Sequence, residues 1–125
     1  MANELILIVE DNEKNMKLAR DVLRFHGFRT IEATDGETAV TMSAEQLPAL
    51  ILMDIQLPGI DGIVAMQRIR ADEHTKHIPT VALTASVMTG DRERFDKAGF
   101  DGFIAKPIDI KTFPDQVRAH LGPKP

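Results

Sequence analysis

Leu5-Ile6-Leu7-Ile8-Val9-Glu10-Asp11-Asn12 decides how the chain is read: five branched apolar residues in succession, ended by two acids and an amide. A run with no polar alternation is what a strand covered on both faces requires. Three further segments have this character, Arg29 to Ala33, Leu50 to Met53 and Thr80 to Leu83, with Gly102 to Ala105 as a shorter fifth. The segments between them are helical in pattern. Met16, Ala19 and Leu23, interleaved with Leu18, Val22 and Phe25, form a broad apolar stripe that ends before Gly27, a C-terminal cap. Thr34-Asp35-Gly36-Glu37 has the capping-box form ahead of Ala39, Val40 and Met42, and Ile63, Met66 and Ile69 follow Gly62. Asp91 to Ala98, closed by Gly99, predicts a more polar helix. Phe113, Val117 and Leu121 predict a last one that stops at Gly122-Pro123. Proline is tolerated only in a first turn, so Pro114 makes Thr112 the expected N-cap.

Five alternations of strand and helix imply right-handed crossovers and a parallel sheet, an α/β doubly wound (βα)5 domain. The 125 residues hold one such domain, at roughly 100–200 residues per domain, with residues 122–125 as a short Pro-containing tail. With 43% apolar and 27% charged residues the composition is that of a globular domain with a real core. Charge is unevenly placed: residues 1–62 hold 5 basic against 11 acidic side chains, and residues 63–125 hold 10 against 8. That distribution offers no general attraction to polyphosphate and argues against a nucleic-acid partner. With no cysteine, disulfide, thiol and thiolate-zinc chemistry are excluded. The apolar runs are far shorter than a bilayer span and the N-terminus lacks a basic start, so a cytoplasmic location without membrane contact is expected.

In an open parallel sheet ligands bind beyond the carboxyl ends of the strands. The residues leaving the strands are Glu10-Asp11 after the first, Asp54 after the third, Thr84 after the fourth and Lys106-Pro107 after the fifth. Carboxylates held together repel unless a cation joins them, and an all-oxygen donor set suits Mg2+. Lys106 adds a point charge and Thr84 a hydroxyl, so the set can hold a phosphoryl group against Asp54, a nucleophile that needs no general base. Each residue also has a plainer reading: Glu10, Asp11 and Asn12 as a helix cap, Asp54 as a turn former before Pro58-Gly59, Thr84 as a strand residue, Lys106 as a surface charge. Their shared end of the sheet favours the functional reading. His26, His74, His77 and His120 share no ligand spacing and are expected at the surface. A phosphate-cradling glycine loop is excluded, because the first loop is Glu10-Asp11-Asn12-Glu13. A Mg2+ phosphatase that works through an aspartyl phosphate would carry a second acid two residues after its nucleophile, where this chain has Gln56.

Over residues 5 to about 121 the chain resembles the response-regulator receiver domains of two-component signalling. The resemblance is carried by Val9-Glu10-Asp11-Asn12, Ile51-Leu52-Met53-Asp54-Ile55-Gln56-Leu57-Pro58, His77-Ile78-Pro79 with Leu83-Thr84-Ala85, and Lys106-Pro107. Within the family these stretches are similar to single-domain cell-cycle regulators and to receivers fused to hybrid histidine kinases. The resemblance implies a flavodoxin-like sheet of order 2-1-3-4-5 and a cis Lys106-Pro107 bond. It implies that Asp54 accepts a phosphoryl group from a phosphohistidine of a sensor histidine kinase or histidine phosphotransferase. Asp11, Asp54 and the Gln56 backbone carbonyl would ligate Mg2+, and Glu10 would contact it through water. Thr84 and Lys106 would bind phosphoryl oxygens, and Phe103 would be the aromatic that moves inward when Thr84 is drawn to the phosphate. Output would be contact with a downstream regulatory protein or kinase through the fourth helix, fifth strand and fifth helix. Two features depart from the family pattern: Pro114, unusual in the last helix, and Glu10, one methylene longer than the commoner aspartate.

Overall fold

The computed structural model describes residues 3–85 and 89–121, with the backbone alone for 89–92. Strands and helices alternate as β1 (Leu5–Val9), α1 (Glu13–Phe25), β2 (Arg29–Ala33), α2 (Gly36–Gln46), β3 (Leu50–Asp54), α3 (Gly62–Ala71), β4 (Thr80–Thr84), α4 (Thr89–Ala98), β5 (Gly102–Ala105) and α5 (Phe113–His120). All strand pairs are parallel and the order is β2-β1-β3-β4-β5, as expected.

The pleat sends successive side chains to opposite faces, and each face has its own core. Ile6, Ile8, Leu52, Val81, Leu83 and Ile104 pack against Met16, Ala19, Val22 and Leu23 of α1 and Phe113 and Val117 of α5. Leu7, Val9, Ile51, Met53 and Ala82 pack against Ala39 of α2, Ala65, Met66 and Ile69 of α3 and Phe95 of α4. The continuous apolar runs are thus divided residue by residue between two layers of helices.

Several boundaries differ from the sequence expectation. β3 and β4 each run one residue further, because Asp54 pairs with Leu83 and Thr84 with Ala105 in the ladder. α2 is capped by Asp35, whose carboxylate accepts from the Thr38 N–H at 2.7 Å, so the capping box headed by Thr34 does not form. α4 starts at Thr89 instead of Asp91. Thr112 precedes α5 but gives no side-chain cap, since its own backbone is already helical (φ −100, ψ −20). Pro114 lies within that first turn. The stop at Gly122-Pro123 and the tail 122–125 lie outside the described residues. The Gly27 cap does form, with a φ of 91°, whereas α2 ends on Leu47 at φ 46 and ψ 61.

Histidines 74 and 77 are exposed, but His26 and His120 are half-buried, and the His120 ring lies against Gly102. At the end of the sheet remote from the acids, Arg70 ties three segments together. Its guanidinium donates to the carbonyls of Gly99, Lys76 and Ile78 and pairs with Asp101 at 2.8 Å.

Candidate functional site

The carboxyl ends of β1, β3, β4 and β5 converge on an open cleft of about 860 Å³. Glu10 follows β1 directly and is 2% exposed, while Asp11 beyond it faces solvent. The turn into α1 is fixed locally: the Asn12 N–H donates to Glu10 Oε2 at 3.1 Å, and the Asn12 side chain caps the helix by accepting from the Asn15 N–H at 3.0 Å. The helix cap and the acid pair therefore belong to one turn, in which Asn12 caps α1 and Glu10 and Asp11 line the cleft.

Asp54 ends β3 at 6% exposure. Its Oδ1 accepts from the backbone N–H of Gln56 at 3.1 Å. The turn that follows folds back so tightly that the Gly62 N–H donates to the Ile55 carbonyl at 2.9 Å. A Cβ at residue 62 would stand 2.6 Å from the Asp54 carbonyl oxygen and 2.9 Å from Ile55 Cα, so only glycine lets α3 start this close to the strand end.

Thr84 ends β4, buried at 7% exposure. The Lys106 N–H donates to its carbonyl at 2.9 Å, which carries the ladder one residue past β5. From there the Lys106 ammonium reaches Glu10 Oε1 at 2.8 Å and Asp54 Oδ2 at 3.0 Å. The Lys106-Pro107 bond is cis, in accord with the resemblance. Phe103 is half-buried in the core layer of α3 and α4. It pairs with Ala82, two residues before Thr84 and on the same face of β4.

The structure thus brings Glu10, Asp11, Asp54, Gln56, Thr84 and Lys106 to one site, with Phe103 one layer below. Glu10, Asp11 and Asp54 each offer an oxygen within 4.8 Å of the others. Burial holds the Glu10 carboxyl above its ordinary value, and the neighbouring Asp54 acts in the same direction, against the Lys106 contact. Burial works against the Lys106 ammonium, yet its bonds to Glu10 and Asp54 hold its pKa above the usual lysine value. Two buried acids share one lysine, and a third carboxylate stands beside them in solvent, a cluster that could hold a metal ion. The donors, all oxygen and one of them exposed, fit Mg2+, which keeps several waters.

Two wall residues escaped the sequence reading. Asp61 caps α3 by accepting from the Val64 N–H at 2.9 Å, and Arg94 reaches the cleft from α4. Asp61 stands in the N-cap position before Gly62, a signal that was open to reading. Arg94 carries none, because a polar helix without a strong apolar stripe does not disclose which way it faces.

A family model described as the response regulator receiver domain matches residues 6–118. The polar-differentiation response regulators DivK of Brucella ovis and Brucella anthropi are 43% and 42% identical to this chain over 117 residues, 94% of its length and 95% of theirs. Among solved structures, the receiver domain of the Pseudomonas aeruginosa sensor histidine kinase PA1611, with magnesium in its active-site cleft, superposes with a TM-score of 0.89 at 37% identity. That match covers 98% of this chain and 100% of the other. The Vibrio cholerae chemotaxis protein CheY4 shares the fold, with a TM-score of 0.90 at 20% identity over 95% of this chain and 99% of its own.

Proposed function

From the premise that the chain belongs to the response regulator receiver domain family, we propose that it is a phosphorylation-operated switch in which Asp54 takes a phosphoryl group from a phosphohistidine. The observation that carries this reading is the Lys106 ammonium, held 3.0 Å from Asp54 and 2.8 Å from Glu10 beside the exposed Asp11. A fixed cation beside an unprotonated carboxylate at a sheet's carboxyl end suits an attack on phosphorus, where charge on the transferring oxygens must be met.

Asp11, Asp54 and the Gln56 carbonyl would hold Mg2+, with Glu10 acting through water. When bound, the ion supplies positive charge that draws the phosphoryl oxygens and the Asp54 carboxylate together. The chain's own residues do the rest. The Gln56 N–H fixes one Asp54 oxygen and so orients the other. Lys106 exchanges its carboxylate contacts for a phosphoryl oxygen. The Thr84 hydroxyl donates to another, and Phe103 follows it inward, altering the face made by α4, β5 and α5. That face would meet a downstream regulatory protein or kinase, and the donor would be a sensor histidine kinase or histidine phosphotransferase, in the cytoplasm and without nucleic acid. The kinship with DivK supports one receiver domain over residues 1–125, working alone. The PA1611 receiver supports the other arrangement, a module of a hybrid kinase. A Mg2+ phosphatase on the same scaffold is disfavoured by Gln56, where its acid would stand, and turnover of a generic phosphoester would revive it.

Acetyl phosphate with Mg2+ should add one acid-stable, base-labile phosphate to the protein, and Asp54→Asn should abolish it. Label that persists on a serine, threonine or histidine in that variant overturns the assignment.

A further inference from the structure

Arg94 is an exposed cation on the wall of the same cleft, and the mechanism above does not use it. Its guanidinium carbon sits 5.7 Å from the ring centroid of Phe95, a residue only 3% exposed and therefore fixed in the core. A guanidinium within reach of an immobile aromatic face is drawn weakly towards it, which limits the directions it samples. Among the described residues it forms no ion pair, whereas the other cation of the cleft, Lys106, is engaged by Glu10 and Asp54. Among the described residues the cleft therefore has one cation committed to the nucleophile and a second, Arg94, that makes no ion pair.

We propose that Arg94 is a specificity-determining residue that favours acyl phosphates among small phosphoryl donors by binding their carboxylate leaving group. The proposal rests on the assignment of Asp54 as nucleophile. In the transfer an Asp54 oxygen forms the new bond to phosphorus as the bond from phosphorus to the acyl oxygen breaks. The carboxylate departs with that electron pair and no proton is required. Negative charge grows on a planar group with two oxygens, which the planar fork of a guanidinium matches in shape and sign. Phosphoramidate offers no such group: its nitrogen end is cationic in the reactive form and leaves as neutral ammonia. Arg94 gains nothing from it.

Rates of Asp54 phosphorylation by acetyl phosphate and by phosphoramidate, both with Mg2+, test this in the wild type and in Arg94→Ala, Arg94→Lys and Arg94→Glu. Removing an exposed charge contact of this kind should slow acetyl phosphate about three- to fivefold. Arg94→Glu should slow it further, and Arg94→Lys, which keeps the charge but loses the fork, should fall between. Phosphoramidate should stay within about twofold throughout, which also reports an intact fold. Raised salt should bring the wild type down towards Arg94→Ala for acetyl phosphate only. Equal losses for both donors, or an unchanged acetyl phosphate rate in Arg94→Ala, overturn the proposal while Asp54 phosphorylation by phosphoramidate leaves the nucleophile standing. If neither donor labels the wild type at Asp54, both readings fall.

Discussion

Asp11 is the acid of the site that Lys106 does not reach, since the ion pairs of Lys106 go to Glu10 and Asp54. It is exposed, yet one of its oxygens lies within 4.8 Å of both other carboxylates. In metal-free buffer it adds repulsion to two acids that already share one lysine, and among the described residues it has no ion pair of its own to offset that. Asp11→Asn should therefore raise stability by a few tenths to about 1 kcal/mol in urea melts with a chelator present. The same variant should lose most of the stabilisation that saturating Mg2+ gives the wild type, because an ion that binds only the folded state stabilises in proportion to its affinity. An Asp11→Asn protein with undiminished Mg2+ affinity would reduce Asp11 to a residue of the turn that leads into α1.

The helix ends show what local sequence signals do and do not carry. Gly27 advertises the end of α1 and adopts the expected positive φ. α2 ends just as abruptly, but with Leu47 in the left-handed region and 55% exposed, and its sequence signal is Pro48, which cannot continue a helix, in place of a glycine. A side chain there costs about 1–2 kcal/mol of backbone strain while burying little, so Leu47→Gly should stabilise the protein by about 0.5–1 kcal/mol. A thermal melt that moves down instead would mean that the exposed leucine packs better than its surface suggests. α4 and α5 depart from their signals at the start instead. At α5 the chain is already turning at Thr112, whose N–H donates to the Asp109 carbonyl at 3.2 Å, so its hydroxyl is not the cap, and α4 begins two residues ahead of Asp91. At element scale the pattern was legible wherever an apolar run or stripe had to meet a core, and uncertain by a residue or two wherever it did not.

For the whole molecule, burial of Glu10 makes stability depend on acidity in a direction opposite to the usual carboxylate. Its folded pKa stands above the ordinary 4.5, so the folded chain binds more protons than the unfolded one between 4.5 and the raised value. Stability contributed by this group therefore falls as pH rises through that window. Lys106, raised above 10.5, contributes stability that is complete below that value and fades as pH climbs through its folded pKa. Metal-free unfolding of wild type and Glu10→Gln across pH 4 to 7 should show the descending component in the wild type alone; parallel curves would exclude it. The strand ends made most of the site readable, because a parallel sheet delivers successive carboxyl ends to one edge whatever the loops do. Arg70 and Arg94 were not readable, since each acts through a direction in space that its neighbours in sequence do not encode. The uneven charge of the two halves also finds its meaning here: Glu10, Asp11 and Asp54 belong to the acidic first half, and Lys106 to the second. A ribosome releases the chain from its N-terminus, so all three acids have emerged while the lysine is still to be made. Until residue 106 is out, closing the pocket would bury Glu10 and Asp54 without their counter-charge, a cost that keeps it open. Sealing the site is thereby a late event in the protein's own manufacture, and an unfinished chain carries its incompleteness as an open, acid-lined end.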